Sequence, residues 1–144
     1  MRKLKVFVSA LAVTLACSTM AQAACKQSHI NNKTWKISAY EAKNGLSIFC
    51  TFRTSGSGSI ASTPGGCDNS TIASGDLSTA APFDIESGSV TAVPGQSCTF
   101  DATLNLANSN VLKARVVMES GKTVANGNFV LTGGQGGPIS MMRQ

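Results

Sequence analysis

Five cysteines, one histidine and seven acidic side chains are the groups with chemistry to offer in this chain of 144 residues. Cys17 sits inside an apolar N-terminal run, which leaves Cys25, Cys50, Cys67 and Cys98 in the body of the chain. Four thiols can hold a structural zinc ion or pair as disulfides. A zinc site draws on closely spaced ligands such as C-x-x-C, with histidines to complete the tetrahedron. No such spacing occurs, and the single histidine, His29, lies near the start. The expectation is therefore no metal and two disulfides. Four cysteines allow three pairings. Cys50–Cys67 is favoured, because it would staple two successive strands around a Gly/Ser-rich tip. Cys25–Cys98 then ties down the N-terminus.

Catalytic constellations are weak. His29 adjoins Ser28, but a nucleophile and base need an orienting carboxylate, and a polar N-terminal segment is the simpler reading. SGSGS (Ser55 to Ser59) is not a G-x-S-x-G elbow and lacks the strand-to-helix context. Asp68, Asp76, Asp84, Glu86 and Asp101 are scattered, whereas glycoside hydrolysis needs two carboxyl groups across a cleft. Gly133-Gly134-Gln135-Gly136-Gly137 has no P-loop lysine and no following helix, so it reads as a turn. Asn32-Lys33-Thr34 and Asn69-Ser70-Thr71 match the glycosylation sequon, but the leader is bacterial in type and no glycan is expected. The chain is expected to have no catalytic residue and no cofactor, and not to be an enzyme.

That leader is MRKLKVFVSALAVTLACSTMAQAAC. Arg2, Lys3 and Lys5 precede an apolar run from Val6 to Cys17, and Ala21-Gln22-Ala23 forms an A-x-A processing site, the pattern of a secretory signal peptide over 1–23. The apolar run is short of the roughly 20 residues that a membrane helix requires, and no later stretch approaches it. Thr14-Leu15-Ala16-Cys17 offers an alternative, an outer-membrane lipoprotein anchored at Cys17. Removing the three leader cations leaves nine basic against seven acidic residues, so the net charge falls from +5 to +2. Most of the apparent basicity is discarded with the leader, and no Lys/Arg cluster interleaved with aromatics remains to bind nucleic acid. The product is expected in the periplasm or outside the cell.

Residues 24–144 suit one domain with a modest core. Their Gly, Ser, Thr, Ala and Asn content disfavours long surface helices. Strands read out by alternation over Thr34 to Tyr40, Leu46 to Phe52 and, with the fullest pattern, Cys98 to Leu106 and Leu112 to Met118. Weaker candidates fall around Thr71 to Leu77 and Phe83 to Val93. Thr123 to Thr132 and a closing Pro138 to Met142 complete an antiparallel meander of about eight strands at roughly ten-residue spacing. Ser55 to Gly66 reads as a long hairpin connection. An open meander would leave two edges to aggregate, so a barrel with ISMMR beside TWKIS is preferred to a β-sandwich.

Trp35, Phe100 and Met118 point inward, as core filler or as the lining of an apolar pocket. An eight-stranded barrel is just wide enough for either. With its exported leader, a Trp on an early strand, paired cysteines and a compact meander ending in Arg, the layout is similar in outline to lipocalin-like barrels, including periplasmic inhibitors of bacterial metalloproteases. In those inhibitors an N-terminal arm enters the protease cleft. The resemblance implies such a role for Ala24, Lys26, Gln27, Ser28 and His29. The leading expectation is an exported, non-enzymatic binding protein acting through its loops on an unidentified envelope or extracellular protein. The alternative is a carrier of a small apolar ligand.

Overall fold

The computed structural model describes residues 25–73, 76–79 and 82–144. The leader expected over 1–23, with Cys17, lies outside the described residues.

The strands are β1 (Thr34–Glu41), β2 (Leu46–Arg53), β3 (Ser59–Ile60), β4 (Thr63–Ala73), β5 (Asp76–Thr79), β6 (Phe83–Ala92), β7 (Thr99–Leu106), β8 (Asn110–Met118), β9 (Val124–Leu131) and β10 (Gly136–Arg143). Two short 3-10 turns, η1 (Gln27–His29) and η2 (Ala107–Ser109), complete the elements. Every pairing is antiparallel. From β1 the ladder runs through β2, β4, β6, β7, β8, β9 and β10 and back to β1, so the sheet closes into an eight-stranded barrel. The last strand lies beside the first, with Trp35 opposite Arg143 and Ala39 opposite Ile139.

Alternation decides which side of the wall each residue faces. In β8, Leu112, Ala114, Val116 and Met118 are buried while Lys113, Arg115 and Val117 are exposed. The inner face is filled by pairing large with small residues around the ring, which suits the narrow interior of an eight-stranded barrel. Ala125 lies between Met118 and Met141, Gly127 between Val116 and Ile139, and Phe129 between Ala114 and Gly137. Gly127 is fixed by closeness of backbone: a Cβ there would lie 1.9 Å from the Arg115 carbonyl oxygen.

The outer wall carries Lys36, Ser38, Thr51, Arg53, Lys113, Arg115, Asn126 and Asn128, all exposed. With Tyr40, Phe49, Val117, Val130 and Met142 as its exposed large apolar side chains among the described residues, this mixed wall is unlike the continuous apolar band of a membrane-spanning barrel. Among the described residues no helix is long and apolar enough to cross a membrane. On that wall Asp101 stands directly opposite Arg115, and the guanidinium donates to both carboxylate oxygens at 2.7 and 2.8 Å. This hydrogen bonding holds the Asp101 carboxyl below its ordinary range and raises Arg115.

Both disulfides form as favoured, Cys25–Cys98 across 73 residues and Cys50–Cys67 across 17. Cys50 and Cys67 are cross-strand partners on β2 and β4, both buried in the core. Two such bonds are those of an oxidising compartment.

The stretch from Ser55 to Gly66 is more ordered than the hairpin connection expected of it. It contains β3 and the start of β4, and Thr54 bridges to Ile60. Gly58 makes this possible. At φ +86° it lies so close to β6 that a Cβ would meet the Val90 carbonyl oxygen at 2.4 Å, and its own carbonyl accepts the Val90 N–H.

Candidate functional site

The barrel has two unlike ends. At one, residues 25–33 fold back across the opening. Gln27 of η1 acts as a short substitute for a strand: its Nε2 donates to the Val90 carbonyl at 2.8 Å and its Oε1 accepts the Ala92 N–H at 2.7 Å. Ile30 follows into the core, and its carbonyl accepts both Trp35 Nε1 (3.3 Å) and Thr54 Oγ1 (2.6 Å). Trp35, Phe52, Phe100 and Met141 pack beneath it with essentially no exposure. The Cys25–Cys98 bond fastens the segment to the start of β7. This end is a plug.

Among the described residues no segment is laid over the other end. It is ringed by the start of β2, the middle of β4, the start of β6, the end of β7 with η2, the start of β8 and the β9–β10 turn. Ile48, Phe83, Leu106 and Leu131 supply apolar walls, and Asn110, Thr132 and Gln135 supply polar groups, around a cavity of about 350 Å³. That is the small end of the range for small-molecule sites. The β4–β5 hairpin runs on past it, since β4 is still paired with β5 at Ala73 whereas β2 ends opposite Thr71.

Asn69 is a polar side chain on this inner wall. It pairs with Ile48, two residues in from the rim pair Leu46 and Thr71. Its Oδ1 is shut off from solvent and has no hydrogen-bond partner. Glu41, at the end of β1, is also buried, but both carboxylate oxygens are engaged by the Lys43 and Asn44 N–H groups at 2.6 and 2.8 Å, which closes the β1–β2 turn.

The residues singled out in the sequence fall mainly at the plug. Trp35, Phe100 and Met118 are buried in the packed interior, outside the ring around the cavity. His29 Nδ1 accepts the Lys26 N–H at 2.8 Å within its own turn. Lys26 to His29 therefore lie against the barrel end and do not form a free arm. Among the described residues no group of three His, Cys, Asp or Glu is placed to hold a metal. The mouth residues carried no motif. Asn69 appeared only as a sequon asparagine, yet its spacing of two from the inward Cys67 puts it on the inner face.

A second hollow, about 720 Å³, runs along the outer wall between the backs of β10, β1 and β2 and the segment Thr63 to Gly66, with Phe49 and Met142 on its floor. It is the larger of the two. The mouth is nonetheless the better candidate, because inward side chains converge on it from six strands.

Fold and site together define a small closed antiparallel barrel with one plugged and one open end. No family model matches the chain, and no curated protein matches it. Solved structures do. A de novo designed fluorescence-activating β-barrel is 11% identical, with 83% of this chain and 99% of that one covered and a TM-score of 0.59. A redesigned β-barrel bound to DFHBI is 12% identical, covering 81% of this chain and 96% of its own, with a TM-score of 0.54. At such identities the likeness is one of fold.

Proposed function

We propose that the mature domain is an exported, non-enzymatic binding protein, and that its site is the open mouth of the barrel, which takes a small uncharged ligand carrying both polar and apolar groups. The observation that carries this is the uneven filling of the interior, packed beneath the plug and hollow to about 350 Å³ at the other end. The designed barrel bound to DFHBI offers support by analogy, as a barrel of the same fold solved with a small molecule. The chemistry-bearing groups near either end serve structure: Glu41 closes a turn and His29 caps one.

The test is native mass spectrometry of the protein isolated from its own envelope. A bound small molecule is expected, and Leu131→Trp, which fills the mouth, should lose it while keeping the β-sheet circular dichroism. Protein that is always empty, and that takes up nothing from an envelope extract, would overturn the reading.

A second reading keeps the protein partner. Among the described residues the large apolar side chains left exposed are Tyr40, Phe49, Val117, Val130 and Met142, all on strands and none on loops. Tyr40, Phe49 and Met142 share the outer face of β1, β2 and β10. Such a patch suits an envelope or extracellular protein. Phe49→Lys with Met142→Lys should abolish capture of that protein if this face binds it, and capture unchanged by the pair would remove the wall from consideration.

A further inference from the structure

We infer that the β1–β2 turn carries a spontaneous modification site, Asn44–Gly45, where the folded protein converts an asparagine to isoaspartate and aspartate. The reaction requires the backbone nitrogen of the following residue to reach the side-chain carbonyl carbon of the asparagine, and a following glycine has no Cβ to obstruct it. Two Asn-Gly pairs occur in the chain, Asn44–Gly45 and Asn126–Gly127. Both asparagines are exposed, so exposure does not separate them. The backbone does.

Asn44 and Gly45 lie in the turn between Glu41 and Leu46, with Gly45 at φ +63°. The turn is held through Glu41, whose carboxylate accepts the Lys43 and Asn44 N–H groups at 2.6 and 2.8 Å. Among the described residues neither the Asn44 side chain nor the Gly45 N–H has a hydrogen-bond partner to give up before the two meet. Asn126 is held at both ends of its amide: Nδ2 donates to Glu119 Oε1 at 2.8 Å, and Oδ1 accepts from Ser140 Oγ. Gly127 is laddered on both sides, to Val116 of β8 and Ile139 of β10. Its nitrogen can turn towards the side chain only if both ladders open.

In the reaction the Gly45 nitrogen bonds to Asn44 Cγ as the Cγ–Nδ2 bond breaks, and Nδ2 leaves as ammonia with the Gly45 amide proton. Water then opens the cyclic imide. Cleavage of the nitrogen bond to Cγ gives aspartate, and cleavage of the nitrogen bond to the main-chain carbonyl gives isoaspartate. A water enters, an ammonia leaves and nothing is oxidised. Either product adds a carboxylate to the residue whose N–H Glu41 holds, and isoaspartate also lengthens the turn by a methylene.

The folded mature domain, aged in mildly alkaline buffer and sampled over days, tests this by peptide mapping. Isoaspartate is read with an isoaspartyl methyltransferase and a labelled methyl donor. Asn44 is expected to convert more than about tenfold faster than Asn126, because a ladder-bound site waits on local opening. In the reduced, denatured chain the two rates should fall within about threefold of each other. Asn44→Gln should remove the fast conversion and its isoaspartate signal. Equal rates at the two sites in the folded protein, or an Asn44 that stays amide there, would overturn the assignment. A gap that persists in the denatured chain would as well, since flanking sequence and not the fold would then set it. None of these outcomes depends on what the mouth binds.

Discussion

The plugged end and the open end are built from the same alternating strands, yet they finish differently. At the plug the buried polar groups are paired: the Ile30 carbonyl takes two donors and both ends of the Gln27 amide meet β6. At the mouth, an amide oxygen is buried without a partner and a hollow remains. The strands do not cause the difference. A barrel of this width closes only when something outside the strands is laid over its end. Residues 25–33 do this on one side, while among the described residues the other side has only turns such as Glu41 to Leu46. On the proposed function, the end that binds is the one where satisfaction is incomplete, as expected when a site departs from the local rules that the rest of a fold obeys.

The largest test of this contrast is Trp35→Ala, expected to cost about 3–5 kcal/mol because a fully buried aromatic leaves a cavity that its neighbours cannot fill. Denaturant unfolding measures it. A cost no greater than that of Leu131→Ala would erase the distinction between the ends. Next, Cys25→Ser with Cys98→Ser should cost about 2–4 kcal/mol, since the bond closes a long loop and anchors the plug. The same unfolding curves report it. Asn69→Leu goes the other way: removing an orphan acceptor should stabilise the domain by about 1 kcal/mol in the same unfolding measurement. Loss of stability there would mean that the amide serves structure.

The smallest effect belongs to Asp101→Asn on the exposed wall, outside the packed interior. Arg115 depresses the Asp101 carboxyl, so the pair stabilises the fold above the ordinary carboxylate range, and that contribution fades as pH falls through the depressed value. Thermal melts should therefore show a slight deficit for the variant at neutral pH that closes in strong acid and in high salt. A gap that widens in acid would contradict the sign.

Period-two patterning made most of the wall legible. Cys98 to Leu106 and Leu112 to Met118 alternate so fully that their strands read directly from the sequence, and the need to cover two edges put the last strand beside the first. Cysteine spacing with the strand order pointed to both disulfides. Two things were hidden. The strand inside the glycine-rich stretch exists because Gly58 tucks against Val90, a tertiary approach that local sequence does not encode. The mouth depends on the summed volumes of side chains from six strands and on what covers each end. Trp35, Phe100 and Met118 carried the visible aromatic and sulfur signals, whereas Ile48, Asn69 and Leu131 looked ordinary.

The first and last described residues, Cys25 and Gln144, lie at the plug. Cys25 is bonded to Cys98 there, and the Gln144 N–H donates to the Thr34 carbonyl at the start of β1. The eight residues of β1 place the mouth about 25 Å away along the strand. A tag, a bead or a lipid fixed ahead of Cys25 therefore holds the domain by its closed end, with the opening turned outward. Surface-immobilised protein would present its mouth to the solution unobstructed, and a copy tethered to a membrane would face away from that membrane.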